Sequence, residues 1–231
     1  MTAMTQPAHL TRGRLRTPRA AAVAGILFSG LLIAAFLLFL SAVPRDSREH
    51  GTWLAAGLDR VVLAINLMPF AGVAFLWFIG VVRDRLAEAE DRLFATVFLG
   101  SGLLFLAMMF VATAVFGAIV IVHAGHPEAL RDSPAFAFAR AFAYTLVNVY
   151  AIRMAGIFML ITSTIALRTA FVARWLAAPG FAMGLFLLFA SPWIDWSFIV
   201  FPLWALLISV YLLVTSLAQE ADGRRKATSV P

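Results

Sequence analysis

Two stretches of this chain, residues 20–43 and 93–122, contain no charged residue. Each exceeds the roughly 20 apolar residues needed to cross a hydrocarbon core. Each is also apolar on every face, unlike the one-faced helix of a soluble domain. Further apolar blocks fill residues 54–82, 135–167, 175–190 and 195–217. Strands of a membrane barrel would be about 9–11 residues long with alternating polarity, and these runs are longer and do not alternate. The expected fold is all-α, a polytopic transmembrane helix bundle of about six spans. Composition agrees: 62% of the 231 residues are hydrophobic and 13% charged, where a soluble domain carries about a quarter charged residues.

Orientation follows from the basic residues of the short loops. Arg12, Arg14, Arg16, Arg19, Arg83, Arg85, Arg92, Arg168, Arg174, Arg224, Arg225 and Lys226 fall on one side of a six-span plan, and Arg45, Arg48 and Arg131 on the other. The first side is therefore expected to be cytoplasmic, with both termini inside. The arginines before residue 20 resemble the basic region of a signal peptide, but a cleavable signal has an apolar core of about 7–15 residues. The first run is longer, so an uncleaved first helix is expected. The resulting plan is a basic tail over residues 1–19, a six-helix domain over 20–217 and a second basic tail over 218–231. The net charge of +6 is concentrated at span borders, which suits anionic lipid headgroups as partners and gives no nucleic-acid signal.

Local chemistry supports these borders. Asp59, Asp132 with Pro134, and Asp195 stand near helix starts, where acids and proline are favoured. Trp53, Trp175, Trp193 and Trp196 lie at predicted borders, with Trp77 and Trp204 deeper. Between residues 83 and 92, Arg85, Glu88 and Arg92 are spaced three and four apart, so helices two and three are expected to extend beyond the membrane there.

Site candidates are few. The chain has no cysteine, which excludes disulfides, thiolate nucleophiles and cysteine metal sites. No phosphate-binding loop or nucleophile-elbow pattern is present, and no cofactor is expected. In the fourth run Arg140, Tyr144 and Asn148 are spaced by four and form one polar stripe, with Arg153 deeper and displaced around the helix. An arginine at bilayer centre costs about 2.5–3.5 kcal/mol on insertion scales, so it normally faces the bundle or water. Arg140 lies within reach of Asp59 or Asp195; Arg153 has no carboxylate at its depth. It would meet either a ligand anion or its own surroundings, such as carbonyls, Asn66 or Thr162. Asp59 and Asn66, seven apart above Pro69, form a second cluster, read as an outward polar cavity or as an ordinary helix start. His123, His126 and Glu128, with His50 or Glu49, could in principle hold zinc, although Gly125 and Pro127 break the helical register between them. No histidine falls within a span, which argues against haem ligation. Gly25 with Gly30, and Gly100 with Gly102, are expected to permit close helix packing. The hydroxyls of Thr162, Ser163 and Thr164 are expected to satisfy carbonyls of their own helix.

Leu167-Arg168-Thr169, Ala173-Arg174-Trp175-Leu176, Gly180 and Phe201-Pro202-Leu203-Trp204 together resemble an arrangement found in six-span bacterial integral membrane proteins of actinobacterial type. The resemblance covers the last third of the chain. It implies a six-helix fold in a bacterial plasma membrane and carries no activity with it. The function expected from the residues is binding or moving a small anionic or amphiphilic ligand, with Arg140, Tyr144, Asn148, Arg153, Asp59 and Asn66 as site candidates. The alternatives are a membrane subunit whose polar residues only lock helices together, and an outward-facing metal-dependent enzyme using His50, His123 and His126.

Overall fold

The computed structural model describes residues 17–44, 53–86, 92–126, 133–169, 173–189 and 196–228. These form six helical rods and no strand. They are α1 (Thr17–Ala42), α2 (Trp53–Leu86) and α3 (Arg92–Gly125), then α4 in three continuous segments: Pro134–Thr145, a π-helical turn over Leu146–Ala151, and Ile152–Thr169. α5 spans Arg174–Phe189, and α6 (Val200–Thr228) is entered through a 3-10 turn over Ser197–Ile199. Among the described residues five stretches are long and apolar enough to cross a membrane: Arg19–Ala42, Ala56–Gly80, Leu93–Gly125, Pro134–Arg168 and Ser197–Ala218. These fit a membrane-embedded protein. At 16 residues, α5 is about 24 Å long, short of the roughly 30 Å of a hydrocarbon core.

The start of α4 is capped by Ser133, whose Oγ accepts from the Ala135 N–H at 3.1 Å, with Pro134 in the first turn. Asp132, which the sequence suggested for this role, lies outside the described residues. α2 reaches Leu86 and α3 begins at Arg92, so both continue past their apolar runs.

α1 packs against α2 and α6, α3 bridges α2 and α4, and α4 pairs with α5. The centre is a phenylalanine cluster drawn from five helices. Phe201 of α6 meets Phe28 of α1, Phe75 of α2, Phe105 of α3 and Phe158 of α4 at centroid distances of 5.7, 5.8, 4.9 and 5.8 Å. Tilted and edge-on pairs at such distances are favourable ring geometries. In lipid this shape matching, rather than exclusion of water, holds helices together.

The α4–α5 pair brings two helix backbones together at glycines. A Cβ on Gly156 would stand 2.8 Å from the Gly184 carbonyl oxygen, and one on Gly184 would stand 2.9 Å from that of Gly156. Gly25 sits against Ser209 and Phe78, and Gly102 against Ile79 and Phe158, but Gly30 and Gly100 have no neighbour within 4 Å. The expected glycine pairs are thus corrected to one packing member each. At 100° per residue, positions five or two apart cannot share a face. Thr162 and Thr164 donate to Phe158 and Leu160 carbonyls as expected, but Ser163 does not. Its hydroxyl instead lies with the Trp204 indole nitrogen around Gly180.

The helices rise unequally above the phenylalanine cluster. Phe201 is about one turn, some 6 Å, from the 3-10 start of α6 at Ser197. From Phe28, α1 continues about 21 Å to Ala42, and from Phe105, α3 continues about 30 Å to Gly125. α6 contacts both α1 and α4. Among the described residues, α6 occupies the space between the lower halves of α1 and α4 and none of the space between their upper halves.

Candidate functional site

That space is a cavity of about 560 Å³. α1 contributes Phe36, Phe39, Leu40, Val43 and Pro44; α3 contributes Met109, Ala112, Thr113 and Phe116. Residues 140–148 of α4 form the facing wall, Met68 of α2 adds to the floor, and Phe198 closes the bottom where α6 begins. Size and lining fit a small-molecule pocket, which is typically about 300–1,000 Å³, mainly apolar, with a few placed polar groups.

Arg140, Tyr144 and Asn148 all line this cavity. Arg140 is 7% exposed. Its Nη2 donates to the Pro44 carbonyl at 2.9 Å, and its guanidinium carbon lies 5.9 Å from the centroid of the Phe136 ring. Those contacts tie the end of α1 to α4 and fix the cation at the upper edge of the cavity. The sequence pointed to Asp59 or Asp195 in this role. Asp59 is exposed on α2, and Asp195 lies outside the described residues. Asn148 donates from Nδ2 to the Tyr144 carbonyl at 3.1 Å. The Tyr144 ring is 62% exposed at the rim, and Thr145 beside it donates to the Ala141 carbonyl.

Lower in the cavity the surface is apolar. Phe36, Met68, Met109 and Ala112 are buried, and the one hydroxyl at their level, on Thr113, donates to the Met109 carbonyl at 2.7 Å. The cavity therefore has a polarity gradient, with a cation at the Pro44 end and hydrocarbon at the Phe198 end.

The other candidates lie apart from it. Arg153 is half-buried on the segment after the π-helical turn, and its Nη1 donates to the Val149 carbonyl of its own helix at 2.9 Å. It does not line the cavity. Exposed Asn66 donates to the Val62 carbonyl at 2.9 Å, and Arg60 donates to the Ser41 carbonyl at 3.0 Å, joining α2 to the end of α1. His123 is in the last turn of α3, inside the apolar stretch Leu93–Gly125 and not outside every span as the sequence suggested, and His126 lies just beyond it. His50, Glu49 and Glu128 lie outside the described residues, and among the described residues no group of three histidines or acids could hold a metal.

The π-helical turn matters for this arrangement. π-turns are rare and often occur at functional sites. This one carries Val147 and Asn148, both on the cavity wall. Sequence reasoning missed the α1 wall, Met68, Met109 and Phe198. Their side chains are indistinguishable by type from lipid-facing ones, and the low start of α6 has no residue-level signal. Pro44 was not among the sequence candidates. Comparison with protein-family models, curated proteins and solved structures gave no match.

Proposed function

We propose that this chain is a six-span protein of the bacterial plasma membrane, with both termini cytoplasmic, that binds a small anionic or amphiphilic molecule in the cavity between α1 and α4. On this topology the cavity lies in the outer half of the bilayer. The observation that carries the reading is the convergence of Arg140, Tyr144 and Asn148 on one mainly apolar cavity of about 560 Å³. A guanidinium is permanently charged, offers five donors in a planar fork and suits carboxylate or phosphate. Fixed against the Pro44 carbonyl, it is oriented before any ligand arrives, which lowers the ordering cost of binding. Arg153 and Asn66, each bonded to its own helix, are assigned to structure rather than to the site.

The test is mass spectrometry of molecules that co-purify in native-lipid discs, comparing wild type with Arg140→Gln and Arg153→Leu. An anionic species lost from Arg140→Gln but kept by Arg153→Leu, with both variants folded, supports the reading. Identical bound species in all three would overturn it and favour a membrane subunit whose polar residues serve packing alone.

A further inference from the structure

We infer that the cavity's occupant is a single-chain anionic amphiphile taken sideways from the bilayer, with its head at Arg140 and its tail against Phe36, Met68, Met109 and Phe198. This rests on the ligand-binding reading above and narrows it from any small anion to one chemical class. Three observations carry it.

The first is the polarity gradient. A short hydrophilic anion would leave the apolar surface of the lower cavity unmatched, since the Thr113 hydroxyl already donates to its own helix and Asn148 has given one of its two amide N–H groups to Tyr144. An alkyl tail matches that surface, and Arg140 at the other end matches an anionic head.

The second is the position of the mouth. The exposed rim residues Leu40, Ala141, Tyr144 and Thr145 lie inside the spans Arg19–Ala42 and Pro134–Arg168, not in loops. The opening between α1 and α4 therefore faces the layer where lipid tails lie. Tyr144 at this mouth combines an apolar ring with a hydroxyl, suited to the junction of head and tail.

The third is the floor. Phe198 packs edge-on against Phe36 at a centroid distance of 4.9 Å, and beneath it lies the phenylalanine cluster around Phe201. Phe198 is the residue that α6 gives to the cavity lining, and none of the rings of the cluster around Phe201 lines it. A closed apolar end sets a limit on tail length.

The experiment uses the full chain in lipid discs with a photoreactive long-chain carboxylate as probe. Crosslinked peptides are mapped, and three competitors are compared: an unlabelled long-chain carboxylate, the alcohol of equal chain length, and butyrate. The expected result is crosslinking to α1 and α4 peptides bordering the cavity, with the long-chain carboxylate competing at least tenfold better than either alternative. Leu40→Trp, which narrows the mouth from an exposed position without disturbing the core, should cut crosslinking severalfold at unchanged thermal stability. Met109→Trp, which fills the floor, should shift preference to shorter chains.

Butyrate competing as well as the long chain would overturn this inference and leave the ligand-binding reading standing. The alcohol competing equally would remove the anionic head from it. No specific crosslinking, together with no bound anion in the mass-spectrometric comparison, would overturn both.

Discussion

At the scale of single residues the sharpest contrast lies between glycines. A Cβ at Gly180 would run into both the Trp204 indole nitrogen and the Ser163 hydroxyl, buried groups that cannot retreat to solvent. Gly30 has nothing within 4 Å. Gly180→Ala is therefore expected to lose about 1–3 kcal/mol through overpacking, and Gly30→Ala to be neutral or slightly stabilising, since alanine restricts the unfolded chain more. Thermal unfolding in detergent compares the two, and an equal loss in both would contradict the packing described here. Arg153 is a second case. Its described bond is to a carbonyl of its own helix, so Arg153→Met removes a membrane-embedded charge, costing about 2.5–3.5 kcal/mol on insertion scales, without orphaning a partner side chain. The variant should melt no lower than wild type; a clear drop would mean that the guanidinium anchors something across the bundle. Sequence alone made Arg153 a ligand candidate because carboxylates could be counted, but a carbonyl acceptor leaves no trace in residue identity. The Pro44 carbonyl that accepts from Arg140 was hidden in the same way.

At the scale of elements, the long apolar helices were legible because a bilayer imposes a length and forbids charge, and both are written in composition. The spacing of Arg140, Tyr144 and Asn148 also survived, since α4 is regular through Thr145 and the stripe ends near the start of the π-helical turn. The turn itself was illegible. Leu146–Ala151 holds no glycine or proline, so nothing local marks it. A π-turn amounts to one extra residue in an α-helix, and this yields a prediction. Deleting Val149, which does not line the cavity, should convert the turn to regular α-helix while keeping both flanking faces in register, so that Gly156 still meets Gly184. Deleting Ile157, inside the regular segment, rotates one flank by about 100° and breaks that contact. Size-exclusion profiles should show a monodisperse product for the Val149 deletion and aggregation for the Ile157 deletion. Aggregation of both would mean that the turn is required for folding rather than inserted into a tolerant helix.

At the scale of the whole molecule, the governing feature is that α5, at 16 residues, is much shorter than the other helical rods. The described part of α6 begins at Ser197, next to the cavity's floor residue Phe198. If α5 crosses, the chain has six spans and the cluster Arg224, Arg225 and Lys226 returns to the basic side, as the loop charges favour. If α5 only dips into the membrane, the count is five and that cluster is expelled to the opposite face. The absence of native cysteine makes the distinction direct, because single cysteines can be introduced without background. In intact cells a membrane-impermeant maleimide should label Ala124→Cys, exposed at the end of α3, and should label Ala227→Cys only after permeabilisation. Labelling of both in intact cells would reduce the spans to five and place the two termini on opposite faces. α6 runs antiparallel to α1, with Phe198 against Phe36, Phe201 against Phe28 and Ser209 against Gly25. A five-span topology would enter α6 from the opposite face and take Phe198 away from the cavity floor, so that outcome would overturn the cavity reading together with the six-span topology.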